Sequence, residues 1–288
     1  MSNTTTSRVN VLAIGASRNI GYYATLKLLR LGATVTYLLR NPSVFDNDAN
    51  IQPFLSTKKA RIVKGDALVK NDVARTWSEA TSDSKPVNYL LLTLGGKPKV
   101  SLSKGIAMDN PNICSLAILN VLCTIPQNYP PPKILAISSI GFTPDSHSHL
   151  PFALKPLYSF VLAKPRADKL AMERVLHYVT EGLYWDPAKN GEPPVEILPS
   201  EWRSTEGLPA EGSLKGVVVL RPSLLTDGKS LAEEYEGKGR KDKKPPYNVS
   251  TEEIGGYTVS RRDVAHFVVD LVTKRWNEFE DKVVNITY

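Results

Sequence analysis

The stretch Val9-Asn10-Val11-Leu12-Ala13-Ile14-Gly15-Ala16-Ser17-Arg18-Asn19-Ile20-Gly21 constrains the fold more than any other, because an apolar strand runs through a glycine turn straight into a helix. A glycine at position 15 lets the backbone leave a strand in a conformation that a Cβ forbids, and Gly21 lets the first helical turn press against the sheet. The helix carries Ile20, Ala24, Leu28 and Leu31 on one face and meets Gly32, a terminator. A second apolar strand, Thr34 to Leu39, follows. Strand, turn, helix, stop and strand within residues 9–39 specify a βαβ unit. Its turn leaves unpaired helix amides facing outward, the arrangement that cradles a dinucleotide diphosphate.

The rest of the chain repeats the alternation. Apolar or β-branched runs predict strands at 9–15, 33–39, 60–64, 88–94, 133–138 and 215–221, with a short final strand near Val283 to Thr287 and helical patterns between them. This is the pattern of an α/β, doubly wound parallel sheet. Asp109 or Asn110 is the expected cap of a helix with Pro111 at its first position, and Ser260 the cap of a helix running through Val272. At 288 residues and 42% hydrophobic, the chain is long enough to bury one full core, so residues 1–288 read as a single domain.

Met1 to Ser7 is polar and the first apolar run is only a strand long, which predicts neither signal peptide nor membrane span and points to a cytoplasmic protein. Cys114 and Cys123 share an apolar helical segment without metal-ligand or CxxC spacing, as expected of reduced packing residues; no metal is implied. Much of the net charge of +7 sits in Lys238-Gly239-Arg240-Lys241-Asp242-Lys243-Lys244. That run lacks interleaved aromatics and any groove-reading motif, so it reads as a solvated loop and not as a nucleic-acid site. Two segments lack regular periodicity, 181–214 with Trp185 and Trp202, and 227–256 with Tyr235 and Tyr247. Both are expected as insertions rising over the carboxyl edge of the sheet, where a substrate would sit.

The string GASRNIG resembles the glycine motif of the short-chain dehydrogenase/reductase superfamily, TGxxxGxG, with Ile14 in place of Thr and Asn19 in place of the middle Gly. Other pieces follow in order: Arg40-Asn41-Pro42, Gly65-Asp66-Ala67, Leu94-Gly95-Gly96, Ile137-Ser138-Ser139-Ile140-Gly141, Ala167-Asp168-Lys169, Leu220-Arg221-Pro222-Ser223 and Ser260-Arg261-Arg262-Asp263-Val264-Ala265. The likeness spans nearly the whole chain and is strongest to atypical, NmrA-like members of fungal type. It implies a Rossmann fold with strand order 3-2-1-4-5-6 and a short extra strand at the C-terminus. It also implies a dinucleotide held by Gly15, Ser17, Arg18, Asn19, Ile20 and Gly21. Asp66, beside Ala67, would receive the adenine amino group, with Thr93, Leu94 and Gly95 passing beside the adenosine ribose. Ser138, Arg221, Pro222 and Ser223 would lie near the nicotinamide.

Cofactor choice follows from the end of the second strand. An NAD enzyme places an Asp or Glu there to accept from the ribose hydroxyls, whereas this chain has Arg40. A guanidinium attracts a 2′-phosphate that a carboxylate repels, and Arg18 is near enough in the turn to join it, which implies NADP.

The reaction centre departs from the family pattern. Resemblance supplies Ser139, with Ser138 as competitor, and Lys169 against the nicotinamide ribose, but the position four before Lys169 is Pro165 and not Tyr. Tyr158 is the candidate substitute; His147 and His149 could also donate a proton. Lys169 has a plainer alternative, a helical pair with Glu173 one turn later. Three functions fit: an NADPH-dependent reductase of a small carbonyl, quinone or conjugated acceptor; a non-catalytic sensor of NADP(H) acting through a protein partner; and a cofactor-dependent isomerase or epimerase. A monomer or dimer is expected, with no membrane partner.

Overall fold

The computed structural model describes residues 9–96, 98–101, 105–108, 110–141, 163–239 and 245–288. Its first strand, β1 (Asn10–Ile14), is buried along its whole length, as a strand flanked on both sides and covered on both faces must be. Val11 and Ala13 face one core, Leu12 and Ile14 the other. β2 (Thr34–Leu39), β3 (Ala60–Lys64) and β4 (Tyr89–Leu92) are parallel to it, β2 and β4 as its direct neighbours. A separate hairpin pairs β5 (Pro98–Ser101) with β6 (Gly105–Met108). β7 (Lys133–Ile137) and β8 (Val217–Pro222) continue the parallel sheet beyond β4. β9 (Leu224–Thr226) leaves the main sheet and pairs with β11 (Thr258–Ser260).

The last two strands of the main sheet are β12 (Lys282–Thr287), parallel to β8, and β10 (Asn248–Ser250), antiparallel at the edge. The full order is β3-β2-β1-β4-β7-β8-β12-β10. Numbered by the six strands anticipated, this is 3-2-1-4-5-6, the doubly wound order. The C-terminal strand is a full six-residue member, and the antiparallel edge strand beyond it was not anticipated.

Helices α1 (Asn19–Arg30) and α6 (Arg261–Asp270) cover one face; α2 (Lys70–Ala80), α3 (Ile113–Leu122) and α4 (Ala163–Val179) cover the other, while α5 (Leu231–Gly237) lies beside α6. α1 buries Ile20, Ala24 and Leu28 as its periodicity predicts, but Leu31 sits at its exposed C-terminal end. The expected Ser260 cap is present, its hydroxyl accepting from the Asp263 amide at 3.0 Å. The expected start of α3 is corrected. It begins at Ile113, past Pro111, and its first amides are capped from another helix, with Cys114 N–H and Ser115 N–H donating to the Asp168 carboxylate of α4 at 2.8 and 2.9 Å.

The 181–214 segment is also corrected. α4 runs antiparallel to the strands, so its last residues reach the amino edge of the sheet, from which β8 must start. The chain between them packs away from the carboxyl edge, with Glu181 N–H donating to Leu214 C=O and Trp202 edge-on to Tyr178 of α4 at 5.0 Å. Trp185 and Trp202 are buried core residues. The 227–256 segment does start at the carboxyl edge, but it contributes α5 and β10, and Tyr247 packs edge-on to Phe267 of α6. Among the described residues no helix is long and apolar enough to cross a membrane.

Candidate dinucleotide cleft

The carboxyl ends of β1, β2, β3, β4 and β7 open into a cleft of about 680 Å³. Gly15 turns the chain out of β1 with φ +83°, and a Cβ there would meet the Leu94 amide nitrogen at 2.7 Å. The glycine is therefore required by close passage of the segment after β4 as well as by its own dihedral. Gly21 lies beneath the cleft floor: a Cβ would strike Thr93 Oγ1 at 2.4 Å and Ala16 Cα at 2.6 Å, so its absence lets α1 seat on the sheet.

Asn19 has φ +55°, in the left-handed region. This explains the departure from the glycine motif, since Asn is among the few residues with a Cβ that accept that region readily. Arg18 before it is extended, and α1 has neither a side-chain cap nor an acidic residue in its first turn. α3, α5 and α6 instead have their first amides satisfied by Asp168, Ser230 and Ser260. The amides at the start of α1 thus remain open donors to an anion in the cleft.

Ser17, Arg18, Asn19 and Ile20 line one wall. Arg40 lies past the end of β2, exposed at the cleft mouth, with Asn41 and Val44 beside it. Asp66 and Ala67 line the region past β3; the Asp66 amide donates to Asp72 Oδ2 at 2.9 Å, and Asp66 Oδ1 accepts from the Leu68 amide at 3.0 Å. Thr93, Leu94 and Gly95 line the segment after β4, fixed by the Thr93 amide donating to Ile14 C=O at 2.9 Å. Among the described residues the charged lining comprises Arg18, Arg40, Lys169 and Arg261 against a single carboxylate, Asp66. Such a cleft concentrates anions.

Lys169 is buried at the cleft wall, and its ammonium donates to Leu94 C=O at 2.7 Å and to Ile137 C=O. The helical pair with Glu173 does not form. Glu173 is instead committed to Arg221 through both carboxylate oxygens, and the two side chains are buried together. Burial pushes the Glu173 carboxyl up, but the Arg221 guanidinium outweighs it and leaves the group below the ordinary carboxylate range. Arg221 is thus an interior ion-pair partner and is not among the described residues that line the cleft. Pro222 and Ser223 are likewise not among the described lining residues; Pro222 C=O accepts from the Ile140 amide, and Ser223 N–H donates to Ile286 C=O, both at 3.0 Å.

Of the two adjacent serines, Ser138 lines the cleft, while the Ser139 hydroxyl turns toward the carbonyls of Ile140 and Pro222 at 3.2 and 3.3 Å. Tyr158, His147 and His149 lie outside the described residues, as do residues 240–244 of the basic run. Cys114 is buried and its thiol is pushed up to about 12, chiefly by burial, so it is an inert packing group. Among the described residues no group of three or more His, Cys, Asp or Glu is arranged to hold a metal ion. The lining residues not anticipated are mostly apolar walls such as Leu39, Ile113 and Leu225, together with Arg261 from the start of α6. Arg261 lies in the SRRDVA string, but only the packing of α6 beside α1 brings it to the cleft.

The doubly wound sheet has solved counterparts of the same fold. A short-chain dehydrogenase from Burkholderia cenocepacia J2315, solved in complex with NADP, superposes with a TM-score of 0.56 at 15% identity, covering 97% of this chain and 96% of that one. Reductase pytE of Aspergillus terreus is 28% identical over 293 residues, spanning 98% of this chain and 99% of its own length. Oxidase pynE of Aspergillus niger (strain ATCC MYA-4892 / CBS 513.88 / FGSC A1513) is 26% identical, spanning 93% and 90%. No family model matches the chain.

Proposed function

We propose that this protein is an NADPH-dependent oxidoreductase that reduces a small carbonyl, quinone or conjugated acceptor. The observation that carries the reading is the charge of the cleft: arginines at positions 18 and 40, no acidic residue where β2 ends, and α1 amides without a side-chain acceptor. Arg40 and Arg18 suit a 2′-phosphate, the α1 amides a diphosphate, and Asp66 an adenine amino group. Lys169 donates two of its three N–H groups to backbone carbonyls, and the remaining one is the donor we assign to the ribose hydroxyls. When bound, the reduced nicotinamide supplies hydride. Ser138 lines the same cleft, with its hydroxyl buried.

The relatives named reductase and oxidase, and a fold neighbour solved with NADP, support the same reading. Purified protein should oxidise NADPH in the presence of some member of a panel of quinones, aldehydes and flavins, followed by nicotinamide absorbance. NADPH binding without oxidation by any acceptor would favour a second reading, an NmrA-type sensor with a protein partner. The specific observation behind that alternative is Pro165, four residues before Lys169, where the family pattern that the sequence resembles has tyrosine.

A further inference from the structure

Arg261 is the first residue of α6, and its side chain reaches the same cleft as Arg18 and Asn19 at the start of α1. The next residue, Arg262, lies over the Tyr23 ring of α1 at 4.5 Å, which pins the start of α6 beside the first turns of α1. Arg40 lines the same cleft from a different element, just past β2. Arg261 is also held by a carboxylate: its Nη1 donates to Asp227 Oδ1 at 2.7 Å. Asp227 follows β9, and its side chain is 83% exposed, against 24% for Arg261. An ion pair so open to solvent is weak and yields readily to a ligand bearing more charge. We infer that Arg261 is a diphosphate-binding residue held in reserve by Asp227, and that cofactor binding transfers its guanidinium from that carboxylate to the diphosphate beside α1. Asp227 is then a competitor of the cofactor.

The inference rests on the proposal that a dinucleotide occupies the cleft, and it makes an unusual demand: removing an acidic surface residue should tighten binding. Calorimetric titration of NADPH and NADH into wild type, Asp227→Asn, Arg261→Gln and the double variant tests it, with thermal melts to confirm folding. Asp227→Asn should bind both nucleotides about two- to fivefold more tightly, the range of an exposed pair. Arg261→Gln should weaken both about tenfold or more, because the diphosphate is common to them, and Asp227→Asn should add nothing in that background. Arg40→Ala, by contrast, should weaken NADPH alone. Unchanged affinities in Asp227→Asn and Arg261→Gln, with wild type still binding NADPH, overturn the inference and leave the cofactor reading standing. Failure of wild type to bind either nucleotide overturns both. A loss in Arg261→Gln confined to NADPH would place the residue at the 2′-phosphate and also contradict the assignment.

Discussion

The Lys169 ammonium donates to Leu94 C=O at 2.7 Å and, in the same reach, to Ile137 C=O, so one buried cation ties together the carboxyl ends of β4 and β7 under the cleft. Lys169→Met keeps the aliphatic stem and removes both donations, leaving buried carbonyls without their charged partner. A loss of about 2–3 kcal/mol in unfolding free energy is expected from urea titration. NADPH affinity should fall as well. An unchanged urea midpoint would show that the ties contribute nothing to folding.

Asn19 stands at φ +55°, at the middle glycine position of the motif that the sequence resembles. Asn19→Gly should leave both stability and NADPH affinity within about twofold of wild type, because glycine adopts that region without strain. Asn19→Val should cost about 1–2 kcal/mol from the left-handed backbone alone. Equal melting of the valine and wild-type proteins would mean that the turn relaxes to a different conformation.

Asp168 caps a helix to which it does not belong. Its carboxylate accepts from the amides of Cys114 and Ser115 and from the Ser115 hydroxyl at 2.9 Å, all buried. Asp168→Ala should destabilise the protein by about 2 kcal/mol or more. Amide hydrogen exchange should accelerate at residues 114 and 115 before it does elsewhere in α3. Uniform acceleration across the chain would point to a global defect instead.

The contrast between these residues explains what the sequence discloses. The βαβ unit was legible because its signals are local: an apolar strand, Gly15 at the turn and Gly32 at the stop. The cleft positions from Gly15 to Asp66 inherit that legibility, since each strand end is marked by a change from apolar to polar residues. The partners of Asp168 and Arg221 were not legible. Each lies some fifty positions away in the chain, as with Cys114 for Asp168 and Glu173 for Arg221, and no periodicity reports such a distance. Segment 181–214 misled for a related reason. Its tryptophans look like the walls of a substrate site, but the direction of α4 commits the segment to packing away from the cleft, and the sequence carries direction only through topology.

Acid sensitivity should come from His177. Burial holds its imidazole down at about 4, and Nδ1 is engaged with Tyr184 C=O at 3.2 Å while Nε2 is buried without a partner for a proton. The unfolded chain therefore takes up a proton near the ordinary histidine value of about 6.5, which the folded protein refuses until about pH 4. Stability is fully present above about pH 6.5 and falls as pH drops toward 4, by about 3 kcal/mol if the whole shift is realised. Glu173, held below the carboxylate range by Arg221, adds a further loss at lower pH. His177→Phe should flatten the profile between pH 6.5 and 4 in urea titrations. An equally steep profile in the variant would assign the effect to other groups.

The central claim is that the cleft selects a phosphorylated dinucleotide through Arg40, which is exposed at the end of β2 where an acidic residue would favour the unphosphorylated one. Isothermal titration of NADPH and NADH into wild-type and Arg40→Ala protein tests it most directly. Wild type should prefer NADPH by about tenfold or more, and Arg40→Ala should lose most of that preference while binding NADH as before, the scale of one charge-assisted contact. Equal affinity of the wild-type protein for the two nucleotides would contradict the account.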